Sequence, residues 1–208
     1  MARPRTNIRE RIVRAARHEF LERGVAATAL RAIARRARTS LGMIYYYFPA
    51  KEDLFLAVIE EPYAQIVEAM GAILGRPEPV RDRIRALFRR IGALTAEEAE
   101  TFRLVVGEAM KSPQLRARVF ARAWRGHLPI VFATLEDGKR DGLLAAELPT
   151  PLLALVTAAV GVLPQIAARA LPLGLDAGEA MADRLAELLF DGIGAAREPP
   201  GGVARPKR

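Results

Sequence analysis

Apolar residues return every third or fourth position along nearly the whole chain, and no sustained alternation of apolar and polar residues competes with that pattern. A chain patterned at the helical period buries its stripes by packing helix on helix, so an all-α fold is expected. Ile8, Ile12, Ala16 and Phe20 form the first stripe, with Thr6 or Asn7 placed to cap it and Gly24 to end it. Thr28 is a plausible cap for a short second helix, and Ser40 for a third that Pro49 stops. A fourth helix, about 50–74, contains Pro62, where a kink is expected. The pattern continues through stripes at 80–91, 97–110, 113–136, 152–166 and 181–189, giving about nine helices in all.

Charge is distributed unevenly over this pattern. Residues 1–51 carry 12 Lys and Arg against 3 Asp and Glu, a net of +9, while the other residues carry 20 against 21. A positive field confined to one quarter of a chain points to a polyanionic partner. There is no cysteine, which excludes disulfides, thiol catalysis and thiolate metal sites. Two histidines far apart, His18 and His127, do not make a metal cluster. The basic N-terminus lacks the apolar core of a secretory signal. The uncharged stretch 148–168 approaches the length of a membrane span, but Pro149, Thr150, Pro151, Thr157, Pro164 and Gln165 interrupt it. It reads as a buried or interface helix, and the expected location is the cytoplasm.

Two short helices joined by a tight turn, inside the basic segment, follow the helix-turn-helix plan. Three of the four tyrosines stand together at 45–47. Successive helical residues point about 100° apart, so the three cannot all be core. If Ile44 and Phe48 face inward, Gly42 and Tyr46 face outward, flanked by Met43 and Tyr45. Such a surface suits a major groove: glycine permits close approach, methionine meets thymine methyls or base edges, and tyrosine hydroxyls bond phosphate. Arg3 and Arg5 form a short basic arm of the kind that can enter a minor groove.

The segment TALRAIARRARTSLGMIYYYFPAKEDLF, residues 28–55, resembles the DNA-binding region of the tetracycline-repressor (TetR/AcrR) family of bacterial regulators. The resemblance covers roughly residues 8–60. It implies a three-helix DNA-binding domain over 1–48 and a larger helical ligand-binding and dimerisation domain over 49–196; the tail 197–208, REPPGGVARPKR, has too little apolar surface to fold and reads as disordered. The resemblance also implies roles for single residues. Leu41, Gly42 and Met43 would read the groove, and Tyr45, Tyr46 and Tyr47 would contact phosphate or base edges. Lys51 would hold a phosphate at the start of the next helix. Arg31 would touch a base or phosphate, and Ser40 would cap the reading helix. Two positions depart from the family pattern: Arg38-Thr39 stands where Gly-Val is usual, and Ala29 where a second hydroxyl is common. A left-handed Arg38 would cost roughly 1 kcal/mol relative to glycine.

The remaining chain shows no phosphate-binding glycine loop, no nucleophile in a recognisable setting and no spaced carboxylate pair, so no catalytic residue is assigned, and no metal or cofactor is expected. Phe88, Phe102, Met110, Phe120, Trp124 and Leu128 are candidates to line an apolar effector cavity, with Arg103, Glu108, Arg125 and His127 as polar anchors. Leu152, Leu155, Val156, Ala159, Val162 and Leu163, with Met181, Leu185, Leu188 and Leu189, form the expected homodimer interface. The partners read from the sequence are therefore double-stranded DNA, a small hydrophobic effector and a second copy, with no membrane. The default regulatory outcome is repression relieved by the effector. A helical enzyme with a basic face and a ligand-free architectural DNA binder are the rival readings.

Overall fold

The computed structural model describes residues 7–172 and 174–192. The basic arm with Arg3 and Arg5 and the 197–208 tail lie outside the described residues. Among these residues there are eleven helical segments and no strand. In chain order they are α1 (Ile8–Ala27), α2 (Leu30–Arg36), α3 (Leu41–Tyr47), α4 (Lys51–Leu74), α5 (Val80–Gly92), α6 (Ala96–Lys111), α7 (Pro113–Arg125), α8 (His127–Arg140), α9 (Thr150–Gly161), α10 (Leu163–Ala170) and α11 (Glu179–Asp191). All nine expected helices are present, and two of them are divided.

Both divisions have a local cause. A proline ring clashes with the carbonyl four residues earlier and supplies no N–H, so it is tolerated only in a helix's first turn. Pro129 and Pro164 stand in the first turns of α8 and α10, and the breaks fall just before them, at Gly126 and Val162. Gly126 has a second reason to be glycine: a Cβ there would sit 2.3 Å from the Tyr63 hydroxyl oxygen. Pro62, by contrast, lies inside α4, which runs on through it.

The chain divides into two compact units, Met1–Pro77 with Leu94–Thr134, and Glu78–Ala93 with Leu135–Arg208. In the first, α1, α2, α3 and the start of α4 close around one core. Ile12, Phe20, Ile33, Ile44, Leu54 and Phe55 are fully buried there, and Leu115 of α7 joins the cluster. Each such side chain contributes about 1.5–3 kcal/mol by leaving water. α6 packs on α1, α4 and α7 within this unit.

In the second unit, the apolar stripe of α5 (Val80, Ile84, Leu87, Phe88) is buried, as are Ala182, Leu185 and Ala186 on α11, the helix α5 packs on most extensively. Arg89 pairs with Asp183 at 2.8 Å, and Arg81 pairs with Asp191. Gly161 of α9 lies against the Phe88 ring, where an added Cβ would fall 2.0 Å from a ring carbon. Gln165 of α10 is completely buried. Its amide donates to the Phe88 carbonyl at 3.0 Å and accepts from the Gly178 N–H at 3.2 Å.

These positions correct part of the sequence reading. Leu185 belongs to the α5–α11 core and is not available to a second copy in this conformation. Phe88 is core of the second unit, not cavity lining. Met110, Phe120 and Trp124 are exposed, at 76%, 59% and 54%, as is Arg103, so they enclose no cavity here. Helical spacing places large side chains on one stripe, but it does not say which of two stripes faces the core. Glu108 is buried beside Gly24 of α1 and paired with Lys111 at 3.2 Å, whereas Arg125 is exposed.

Candidate nucleic-acid interface

The head is built by local chemistry at its helix ends. Asn7 caps α1, its side-chain oxygen accepting from the Arg9 N–H at 3.1 Å. Gly24, at φ 77°, breaks the helical geometry inside α1 as its sequence position suggested. Thr28 does not cap α2. Its hydroxyl instead points back to the carbonyls of Gly24 and Glu19, at 2.7 and 3.0 Å, and ties the end of α1 to its own preceding turn. The N-cap of α2 is Ala29, which offers no side-chain acceptor. Ser40 caps α3 by accepting from the Met43 N–H at 3.2 Å.

Between α2 and α3 the chain turns through Arg38 at φ 50°, the one non-glycine residue with positive φ among the described residues. The left-handed conformation that the turn demands is thus taken by an arginine, at a cost of roughly 1 kcal/mol relative to glycine.

Capping and turn together fix the azimuth of α3. Ile44 is fully buried and Phe48 nearly so, and the residues opposite them are turned outward. Gly42 is exposed, Tyr45 is 51% exposed and Tyr46 77%. Met43, Leu41 and Tyr47 are half-buried at the flanks. Tyr47 meets the Tyr46 ring edge-on, with centroids 5.1 Å apart, so the outermost tyrosine is braced by its neighbour. Arg31 and Arg35 of α2 are exposed.

Lys51 has a task the sequence did not disclose. Its ammonium donates to three carbonyls, those of Val25, Ala26 and Thr28, at 2.7, 3.1 and 2.8 Å. The last turn of α1 holds no basic residue, so the first residue of α4 supplies the positive charge that those carbonyls lack. The three N–H groups of the ammonium are taken by these bonds, and only its charge is left for a phosphate. Asp53, two residues on, accepts from the Ala50 N–H at 2.9 Å and is held ionised mainly by its hydrogen bond from Arg118, which brings its pKa below the usual carboxylate value.

Glu19 is the buried carboxylate of the head. The guanidinium of Arg36 donates to it at 2.7 Å and lowers its pKa despite the opposing effect of burial, with Arg23 adding a weaker attraction. His18, Glu19 and Glu22 bring possible metal-ligand atoms together, but Arg36 donates to one Glu19 oxygen at 2.7 Å and Arg23 lies 3.5 Å from the other. The arrangement is an ion-pair cluster. The sequence could have disclosed Glu19 as one of only three acidic residues among the first 51, lying on the apolar face of α1.

Among the effector candidates, Phe102, His127 and Leu128 are half-buried in the first unit. Tyr63, which the sequence reading passed over, hydrogen-bonds His127 Nδ1 at 3.0 Å and lies under the Arg122 guanidinium, 4.6 Å from its ring centre. Burial lowers the pKa of His127 and raises that of Tyr63. At neutral pH the pair is therefore an uncharged imidazole against an uncharged phenol.

Residues 12–58 match the family described as bacterial regulatory proteins, tetR family. The chain is 30% identical over 172 residues to the HTH-type transcriptional repressor SCO4008 of Streptomyces coelicolor, an alignment covering 81% of this chain and 85% of that protein. The chain belongs to the TetR family. It is a helix-turn-helix transcription regulator. A second relative is the HTH-type transcriptional activator FasR of Mycolicibacterium smegmatis, 28% identical over 117 residues, where the match spans 56% of this regulator and 53% of FasR. The fold is that of FadR from Bacillus subtilis, solved in complex with stearoyl-CoA: TM-score 0.74 at 21% identity, covering 89% of this chain and 99% of that one.

Proposed function

We propose that this regulator binds a near-palindromic duplex site as a homodimer, represses transcription there, and is released by a small hydrophobic effector. The observation that carries the DNA-binding half is the outward surface of Gly42, Tyr45 and Tyr46 on a capped α3, inside a segment with a net charge of +9. Leu41, Gly42 and Met43 read bases. Tyr45, Tyr46, Tyr47, Arg31 and Ser40 position the helix on the sugar-phosphate chains. Repression is favoured over activation because SCO4008, aligned over 81% of this chain and 85% of its own length, is a repressor.

The apolar face of α9 and α10 supports the dimer. Leu152, Leu155, Val156, Ala159 and Leu163 are exposed on it, and Val162 is half-buried beside them. On α11, Met181, Leu188 and Leu189 are half-buried and serve at its margin. By length and composition Thr150–Arg169 could cross a membrane. We assign its exposed face to a second copy instead. Its other side is fixed by polar ties that lipid would not tolerate: the buried Gln165 amide, and Arg169 donating to the Ile91 and Gly92 carbonyls. A cytoplasmic, non-catalytic role follows from this reading.

The effector enters the first unit among α4, α6, α7 and α8, where Phe102, His127, Leu128 and Tyr63 offer an apolar wall with a polar edge. The same unit contains the reading head, so an effector that favours one packing of α4 or α6 biases the head directly. Two reading helices about 34–36 Å apart would fit successive major grooves.

Footprinting on the DNA flanking the regulator's own gene tests the first half, expecting protection of two symmetric half-sites. Sedimentation of wild type against Leu155→Arg tests the dimer. Retarded duplex released by stearoyl-CoA, the first compound to try, tests the effector class. Asymmetric protection of a single site by a monomer would refute the proposal.

A further inference from the structure

A shallow cleft, broadly open to solvent, lies on the flank of the DNA-binding domain. Arg11, Arg14, Ala15 and His18 of α1 line one side; Arg36, Ala37 and Arg38 at the end of α2 line the other, and no residue of α3 takes part. Four guanidinium groups meet here, and the carboxylate bonded to one of them, Arg36, is Glu19. Arg11 spends one Nη2 on a long, 3.4 Å bond to the Arg38 carbonyl, and its Nε is buried with no acceptor. The exposed side chains of Arg14 and Arg38 make no hydrogen bond or ion pair among the described residues. Arg38 is also the residue held at φ 50°, a conformation that glycine would adopt without strain.

Like charges gathered without partners raise the energy of the folded head, and an arginine at a left-handed position raises it again. Both costs fall on the same small cleft. Guanidinium groups bind phosphate oxygens in paired, charge-assisted hydrogen bonds, and a dianionic group among four of them would offset both. We propose that the Arg11–Arg14–Arg36–Arg38 cleft is a phosphoryl-binding site, separate from the surface of α3. The phosphate is supplied either by the duplex backbone beyond the base pairs that α3 reads or by a free phosphorylated metabolite. The duplex source rests on the DNA-binding reading above; the free source does not.

The test compares the full-length wild type with the double variant Arg14→Gln, Arg38→Gly. Both side chains are exposed and unbonded, and glycine suits the turn, so the fold is expected to survive; far-UV circular dichroism checks this. Inorganic pyrophosphate is titrated by calorimetry, and a random-sequence 30-base-pair duplex is titrated over a range of salt. If the cleft takes a free phosphate, the variant loses tenfold or more in pyrophosphate affinity while its duplex salt slope stays unchanged. If it takes a backbone phosphate, the salt slope of duplex binding falls by about one per head. Tyr46→Ala serves as the converse control, weakening duplex binding and leaving pyrophosphate untouched. Identical pyrophosphate affinity and identical salt slope in wild type and double variant overturn the proposal. A wild type that ignores every duplex yet binds pyrophosphate through these arginines refutes the DNA-binding reading and keeps the cleft.

Discussion

Replacing Lys51 with methionine separates two roles that one lysine could fill. Methionine retains much of the aliphatic stem and removes the ammonium, leaving the carbonyls of Val25, Ala26 and Thr28 without their shared donor. A hydrogen bond to a charged group contributes about 1.5–3 kcal/mol when buried. The three here are not additive, and Lys51 is only half-buried, so the net loss is about 2–3 kcal/mol. In a chain of this size 1 kcal/mol moves Tm by about 2–4 °C, so the variant should melt roughly 4–12 °C below wild type. Differential scanning calorimetry without DNA reads this directly. Lys51→Arg sharpens the test. A planar guanidinium cannot reproduce the three-way convergence of an ammonium, but it binds phosphate at least as well. If Lys51 serves chiefly to join α4 to the end of α1, the arginine variant loses stability and keeps its duplex affinity. A Tm for Lys51→Met within 1 °C of wild type, with duplex binding weakened, would show that the carbonyl contacts carry no weight and that the lysine serves phosphate alone.

Tyr46→Ala should leave the unfolding midpoint in urea unchanged, because the ring is mostly in solvent, and should weaken duplex retardation about tenfold. Gly161→Ala should destabilise the second unit by about 1–3 kcal/mol through overpacking against Phe88, read as a lower Tm; Phe88→Leu in the same background should recover part of it. Burial holds the pKa of His127 below its ordinary value of 6.5, so the unfolded chain takes up that proton more readily than the folded one. Stability should therefore fall as pH drops below about 6.5, and His127→Gln should flatten that part of the Tm-against-pH curve. Glu19 adds a second, lower window. Its depressed pKa gives stability that is complete above the ordinary glutamate value of 4.5 and is lost as pH falls below it.

The helical class was legible because periodicity needs no partner to be seen. The facing of α3 was legible for the same reason: with Ile44 and Phe48 inward, helix geometry alone turns Tyr46 out. The left-handed turn at Arg38 was readable from the place the residue occupies in the motif. Other features depended on which faces meet, and spacing cannot supply that. Met110, Phe120 and Trp124 repeat at core-like intervals yet stand exposed, while Leu185, counted toward an interface, closes on α5. Thr28 had the chemistry of a cap, but its hydroxyl donates to the carbonyls of Gly24 and Glu19 and the cap position falls to Ala29. Lys51 reaches across 26 residues of sequence to Val25, a distance no local pattern encodes.

The Gln165 amide has one further consequence. Enclosed on all sides, it can satisfy both its donor and its acceptor in a single rotational setting of α10. A turn of the helix by one residue would strand an amide in dry surroundings, at a cost of about 1–3 kcal/mol. Leucine at this site would fix no such setting and would leave the Gly178 N–H without its acceptor. The glutamine works as an indexing pin: it holds the helix so that its greasy outer edge presents the same side chains in the same order.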